Sequence, residues 1–186
     1  MFDGYSIICY HATRIPDSSS LWEHGLDNNW DFLQKCLTDF FISKGIDNDS
    51  IVLGIDAIRR EYERKHSDSR QETICYTCNK SLFYDGYNVF FETIGGEMAA
   101  WALEDKRETP YTDLLNLLKE NGTPVLVVFS IPFSDINICD KEEMIDAIVS
   151  SLLQKLQCHE PDSIRVEGNY HGNVKPNQII EIIEWK

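Results

Sequence analysis

The sequence contains no run of about 18 apolar residues, so nothing in it reads as a membrane span. Its start, MFDGYSIICYHATR, carries an acid at Asp3 where a signal peptide carries lysine or arginine, which predicts a cytoplasmic chain. Basic residues are scarce: 17 Lys and Arg stand against 31 Asp and Glu, and the net charge of −14 disfavours broad, non-specific binding to nucleic acid. There is no internal repeat, no Pro/Ser-rich linker, and no second CxxC or HxxxH to accompany Cys75-Tyr76-Thr77-Cys78. A structural zinc site needs four ligands, so the lone CxxC predicts no metal. Without an export signal the six cysteines (Cys9, Cys36, Cys75, Cys78, Cys139 and Cys158) are expected as reduced thiols, mostly buried as small hydrophobes.

What is present is enough apolar material, 42% of 186 residues, for one globular domain over 1–186. The stretch 5–11 (YSIICYH) is β-prone and reads as a buried strand. A short helix follows IPDSSS, and Trp30, Phe32, Leu33, Leu37, Phe40 and Phe41 give 29–43 a helical period. Another helix over 50–66 ends in the polar RREYERKH. A strand is expected near Lys80, then a turn at Asp85-Gly86 and a strand over 87–92 (YNVFFE). Helices follow Gly95-Gly96 and fill 111–120, the latter closed by Asn121-Gly122. The segment 123–131 (TPVLVVFSI) is the clearest buried strand. Asp140 and Glu143 have capping-box spacing at the head of a long helix with Met144, Ile145, Ile148, Leu152, Leu153 and Leu156 on its apolar side. Strands over 163–167 and 178–185 close the chain, and the order is α+β.

Three pieces combine residues suited to chemistry. They are Tyr10-His11-Ala12-Thr13-Arg14 at the end of the first strand, Asn88-Val89-Phe90-Phe91-Glu92 with a following helix that reaches Trp101, and Arg165-Val166-Glu167 before Val174-Lys175-Pro176-Asn177-Gln178. Taken singly each has an ordinary structural reading. His11 suits a hydrogen-bonded structural histidine, Phe90, Phe91 and Trp101 suit a core, and Glu167 suits a surface acid with Glu181 and Glu184 as competing carboxylates.

In this order the pieces resemble the His–Tyr–Glu class of ADP-ribosyltransferases, which includes the poly(ADP-ribose) polymerases and diphtheria toxin. The resemblance implies a split β-structure of about six or seven strands with helices around it. It implies NAD+ as substrate, with cleavage of the nicotinamide–ribose bond. His11 would hold a ribose hydroxyl, the main chain of Ala12 the nicotinamide carboxamide, and Phe90 and Trp101 the nicotinamide ring, while Arg14 would sit near the adenosine or a phosphate and Thr13 belongs to the same cofactor-binding motif. Glu167 would be the catalytic acid residue, its carboxylate stabilising positive charge that develops on the ribose. Two departures stand out: Phe90 takes a position usually held by tyrosine, and Ala12 one often held by glycine. The segment 28–71 has no counterpart and is expected as a helical insertion, a cap or partner surface away from the cleft.

The activity so implied is a mono-ADP-ribosyltransferase, a glycosyltransferase of toxin or effector type that modifies a macromolecular acceptor and has room for an antitoxin or other regulatory partner. The acidic surface tilts the acceptor toward protein over nucleic acid. An NAD+ glycohydrolase would use the same residues, and an inactive interaction module would keep the fold without the chemistry. His11 and Glu167 must converge on one ribose, so the strands at 5–11 and 163–167 are expected to lie close together.

Overall fold

The centre of the molecule is a pair of strands rich in β-branched and aromatic residues. β1 (Ser6–Ile15) and β3 (Thr123–Pro132) run antiparallel in register from Ser6 opposite Pro132 to Ile15 opposite Thr123. The computed structural model describes residues 4–64, 73–84, 87–106, 108–157 and 166–186. Among these, β2 (Ile74–Thr77), β4 (Glu167–Tyr170) and β5 (Ile179–Glu184) complete a five-stranded antiparallel sheet of order β4-β2-β1-β3-β5.

Side chains alternate across a strand, so the sheet presents two different faces. On one face Cys9, Val125, Val127, Phe129 and Ile131 form a buried cluster with Ile74 and Tyr76. It is closed by Leu21 of α1 (Ser19–His24) and Met144 of α6 (Ile138–Leu156). On the other face Leu126, Tyr10 and Ala12 meet Phe83 and Phe91, which come from the two 3-10 turns Lys80–Tyr84 and Tyr87–Phe91. Trp185 stacks on Phe91 there, with ring centroids 4.7 Å apart and planes 8° from parallel.

A second core lies among α2 (Trp30–Ser43), α3 (Asn48–Arg64), α4 (Gly96–Glu104) and α5 (Tyr111–Glu120). Phe41, Ile55 and Ile58 pack with Ala99, Leu103, Leu114 and Leu118. Gly54 sits in mid-helix because a Cβ at that position would run into Leu114. The expected insertion at 28–71 therefore corresponds, within the described residues, to α2 and α3, with 65–71 outside them. These two helices are built into the helical core rather than appended to it.

Several expected elements change character. The strand expected over 87–92 is a 3-10 turn, as is the region near Lys80. The burial shows why: Val89 is exposed, Phe90 half-buried and Phe91 buried, a gradient along one turn rather than a two-sided alternation. β2 was not anticipated, because its four residues overlap the CYTC segment at 75–77 and are too short to show a period. The long helix starts before Asp140, at Ile138, because Asn137 is extended and its side chain accepts from the Asp140 N–H at 2.8 Å. Among the described residues the strand expected over 163–167 meets β4 at Glu167 alone, which starts that strand instead of ending it, and the last strand is shorter than the expected 178–185, running Ile179–Glu184. Residues 163–165, Arg165 included, the turn at Asp85-Gly86 and Cys158 lie outside the described residues.

Candidate functional site

β1 carries the first motif through the middle of the sheet, and its two edges are treated differently. The β3 edge is paired along its whole length. On the other edge, the ladder to β2 has the single register pair Tyr10–Thr77. Farther along, Arg14 forms a parallel bridge with Ile94. Cys78 gives its N–H to Val166 on the β4 side, so by alternation the main chains of Thr77 and Cys75 face β1. By the same alternation Tyr10 and Ala12 face β2. Ala12 thus sits at a changeover, where its strand has left one neighbour and not yet met the next.

His11 occupies this changeover with its ring. Its Nδ1 lies 2.8 Å from the Cys75 carbonyl oxygen. A carbonyl only accepts, so the Nδ1 nitrogen carries the proton and Nε2 is an acceptor in the neutral ring. Enclosure beneath the sheet holds the His11 pKa below its ordinary value, opposed by the Cys75 bond. The ring is neutral at pH 7 and bridges two strands where the main-chain ladder stops.

Glu167 is the first residue of β4 and is exposed. It stands opposite Thr77, which stands opposite Tyr10. Residues directly opposite one another share a face, so Glu167, Thr77 and Tyr10 point one way while His11, next in chain to Tyr10, points the other. The expected convergence of His11 and Glu167 on one ribose does not occur in this geometry. Their strands are not neighbours either, since β2 lies between them. Ala12, two residues from Tyr10, does share the Glu167 face. Two strand spacings separate Tyr10 from Glu167, about 10 Å.

Arg14 also differs from expectation. Its Nε donates to the Phe91 carbonyl at 2.8 Å, and its Nη1 to those of Asn121 and Gly122 at 3.0 Å each. The guanidinium ties β1 to the second 3-10 turn and to the end of α5, a structural task in place of an adenosine or phosphate contact. Thr13 pairs with Val125 and takes its place in the central ladder. Phe90 is half-buried in the cluster of Phe83, Phe91 and Leu126 on the Glu167 face. Trp101 lies on α4, partly exposed.

Reading the sequence did not pick out three polar features around this region. Thr93, one residue before the Arg14 partner Ile94, buries a hydroxyl that has no hydrogen-bond partner among the described residues. Asp140 accepts from the Tyr76 hydroxyl at 3.3 Å and from the Asn169 N–H at 3.2 Å. Burial, with the Asp140 charge next in weight, pushes the Tyr76 phenol above its usual range and keeps it a donor. Cys9 and Cys78 also face each other, and burial pushes the Cys9 thiol up. The CxxC cysteines are thus engaged separately, Cys78 with Cys9 and Cys75 with Asn169 Oδ1 at 3.1 Å. No group of residues suited to hold a metal ion occurs among the described residues. No helix among them is long and apolar enough to cross a membrane.

Comparison of the chain with known protein families, curated proteins and solved structures finds no match.

Proposed function

We propose that this chain is an ADP-ribosyltransferase-type domain that takes NAD+ on the sheet face shared by Ala12, Phe90 and Glu167. The observation that carries the reading is the changeover at Ala12. A main-chain donor and acceptor at the limit of a ladder suit a carboxamide, which offers one acceptor and two donors. The buried hydroxyl of Thr93, beside the bridge that closes the changeover, fits a polar ligand in the same region.

In this reading the residues divide differently from the simple resemblance. Ala12 orients the carboxamide. Phe90 offers an aromatic surface worth about 0.5–1.5 kcal/mol of ring contact. Glu167, on the same face, places a carboxylate toward the ribose carbon as its bond to nicotinamide breaks, favouring the cationic transition state over the ground state. His11 is a positioning residue: it fixes the separation of β1 and β2 by holding Cys75, and touches no substrate. The products are nicotinamide and an ADP-ribosyl group passed to a macromolecular acceptor, or to water in a glycohydrolase.

The test is nicotinamide release from labelled NAD+ by the purified chain and by Glu167→Gln. The expected result is release that falls about 100-fold in the variant with little change in NAD+ affinity. Label retained on a macromolecule distinguishes transferase from glycohydrolase. Glu181→Gln should leave release intact: Glu181 belongs to the same cross-sheet row, opposite Val128, but lies on the far edge, about 19 Å from Glu167.

The commitment of His11 to Cys75, away from Glu167, favours a second reading, a module that binds without transferring. Saturable NAD+ binding with no nicotinamide release would select it. Absence of both binding and release would remove the NAD+ reading altogether.

A further inference from the structure

Among the described residues, α6 is the one long helix that covers the sheet while showing a broad apolar face to the outside. Asp140, Met144 and Ala147 turn toward the sheet. Ile138, Ile145, Val149, Leu152 and Leu156 are exposed, Leu152 at 56% and Leu156 at 81%. Their spacing is 7, 4, 3 and 4 residues, the repeat of a coiled-coil seam. At 100° per residue this seam lies on the side of α6 away from the sheet.

We propose that α6 pairs with α6 of a second copy of this chain as a parallel two-stranded coiled coil. The argument for this occupant is the charge along the seam. Lys141 and Lys155 lie on one flank, Glu142 lies on the seam itself, and Asp146 lies on the other flank. A parallel pair sets each flank residue against the opposite flank of the partner five residues on. Lys141 then meets the partner copy's Asp146, and Ile148 meets the partner copy's Leu153, so a charge pair sits beside an apolar pair. An antiparallel pair sets like flanks together, with Lys141 against Lys155 and Asp146 against itself, which is repulsive at both places. The flank charges therefore favour the parallel orientation, against the one like-charge contact that it sets at Glu142.

The 19 residues of α6 would be a marginal coiled coil as a peptide. Here the helix is already held by its sheet-facing side, so the pairing has no helix-forming cost to meet. Glu142 sets two like charges across the axis near the helix start and confines the close contact to the turns from Ile145 onward. The two sheets fall on the outer sides of the pair, opposite the seam.

Sedimentation of the full chain tests the proposal. A dimer at micromolar concentration is expected, weakened about thirtyfold or more by Leu152→Glu. Leu152 is exposed, so the far-UV circular dichroism of that variant should match the parent. Lys141→Glu should weaken the dimer several-fold, and the double variant with Asp146→Lys should restore it. Because Lys141 also reaches the Ser134 carbonyl at 2.9 Å, that restoration separates the intersubunit pair from the local contact. A parent that stays monomeric, a dimer indifferent to Leu152→Glu, or a dimer strengthened by Lys141→Glu, as antiparallel packing requires, would each overturn it.

Discussion

The strands that bear the two ends of the proposed site are held in contrasting ways. β1 is central, paired with β3 over ten residues and pinned on its other edge by the His11 ring and the Arg14 guanidinium. β4 has four residues and, among the described residues, one neighbouring strand. Its position depends on small groups: Gly168 stands where Tyr76 and Asp140 come closest, and the Asn169 N–H is held by the Asp140 carboxylate. The recognition end is thus fixed by the bulk of the fold, while the acid is placed by a polar cluster that a single methyl group can disturb.

Substitutions should expose this contrast, and the largest effect is expected in the central strands. Phe129→Ala empties a fully buried position in β3 and should cost about 3–5 kcal/mol in urea unfolding. A loss under about 1 kcal/mol would show that the central ladder tolerates cavities and is no more rigid than the edge. Arg14→Met keeps the stem but removes donors to three carbonyls, and a loss of about 2–3 kcal/mol is expected by thermal or urea unfolding.

Gly168→Ala should cost about 1–3 kcal/mol, because the new Cβ meets the Tyr76 hydroxyl and the Asp140 carboxylate. Its sharper readout is nicotinamide release, expected to fall further than stability does as β4 shifts with Glu167. Equal activity in this variant and the parent would detach Glu167 from the chemistry.

A smaller effect is expected from pH. The folded His11 resists protonation, whereas the unfolded chain takes up a proton near the ordinary value of 6.5. The His11 contribution is therefore fully present above about pH 6.5 and is lost as pH falls through that value toward the lower folded pKa. His11→Asn should flatten the stability profile across that window. A profile unchanged by the substitution would place the titration elsewhere. The smallest effect is expected for Glu167→Gln, within about 0.5 kcal/mol in stability, since the side chain is exposed at the sheet edge. A larger stability loss would turn Glu167 into a structural residue.

Much of the secondary structure was legible because its signals are local. The period of apolar residues and the Asn121-Gly122 stop located α5 at Tyr111–Glu120, and the run TPVLVVFSI located β3. The candidate site was legible only in part. Which face a strand residue takes depends on register, and a register is set by partners far away in the chain. Nothing around His11 or Glu167 announces that β2 comes between their strands. Arg14 looks like a phosphate ligand in its motif, and only the fold reveals three carbonyls converging on it. The aromatic run at 87–91 looked like a strand because aromatic residues favour strands in general, but the burial of Phe91 beside an exposed Val89 decides its packing.

The central pair has a consequence for the order in which the molecule assembles. Every residue of β1 finds its β3 partner more than a hundred positions later in the chain. Helices α2 to α5 lie between them and can meet one another at shorter range. On a ribosome β1 therefore emerges first and waits with both edges open while its future neighbour is still being made. Such long-range closure is slow, and open strand edges invite aggregation. Folding yield should fall when synthesis is fast relative to chaperone capacity, and should be governed more by β3 than by any helix.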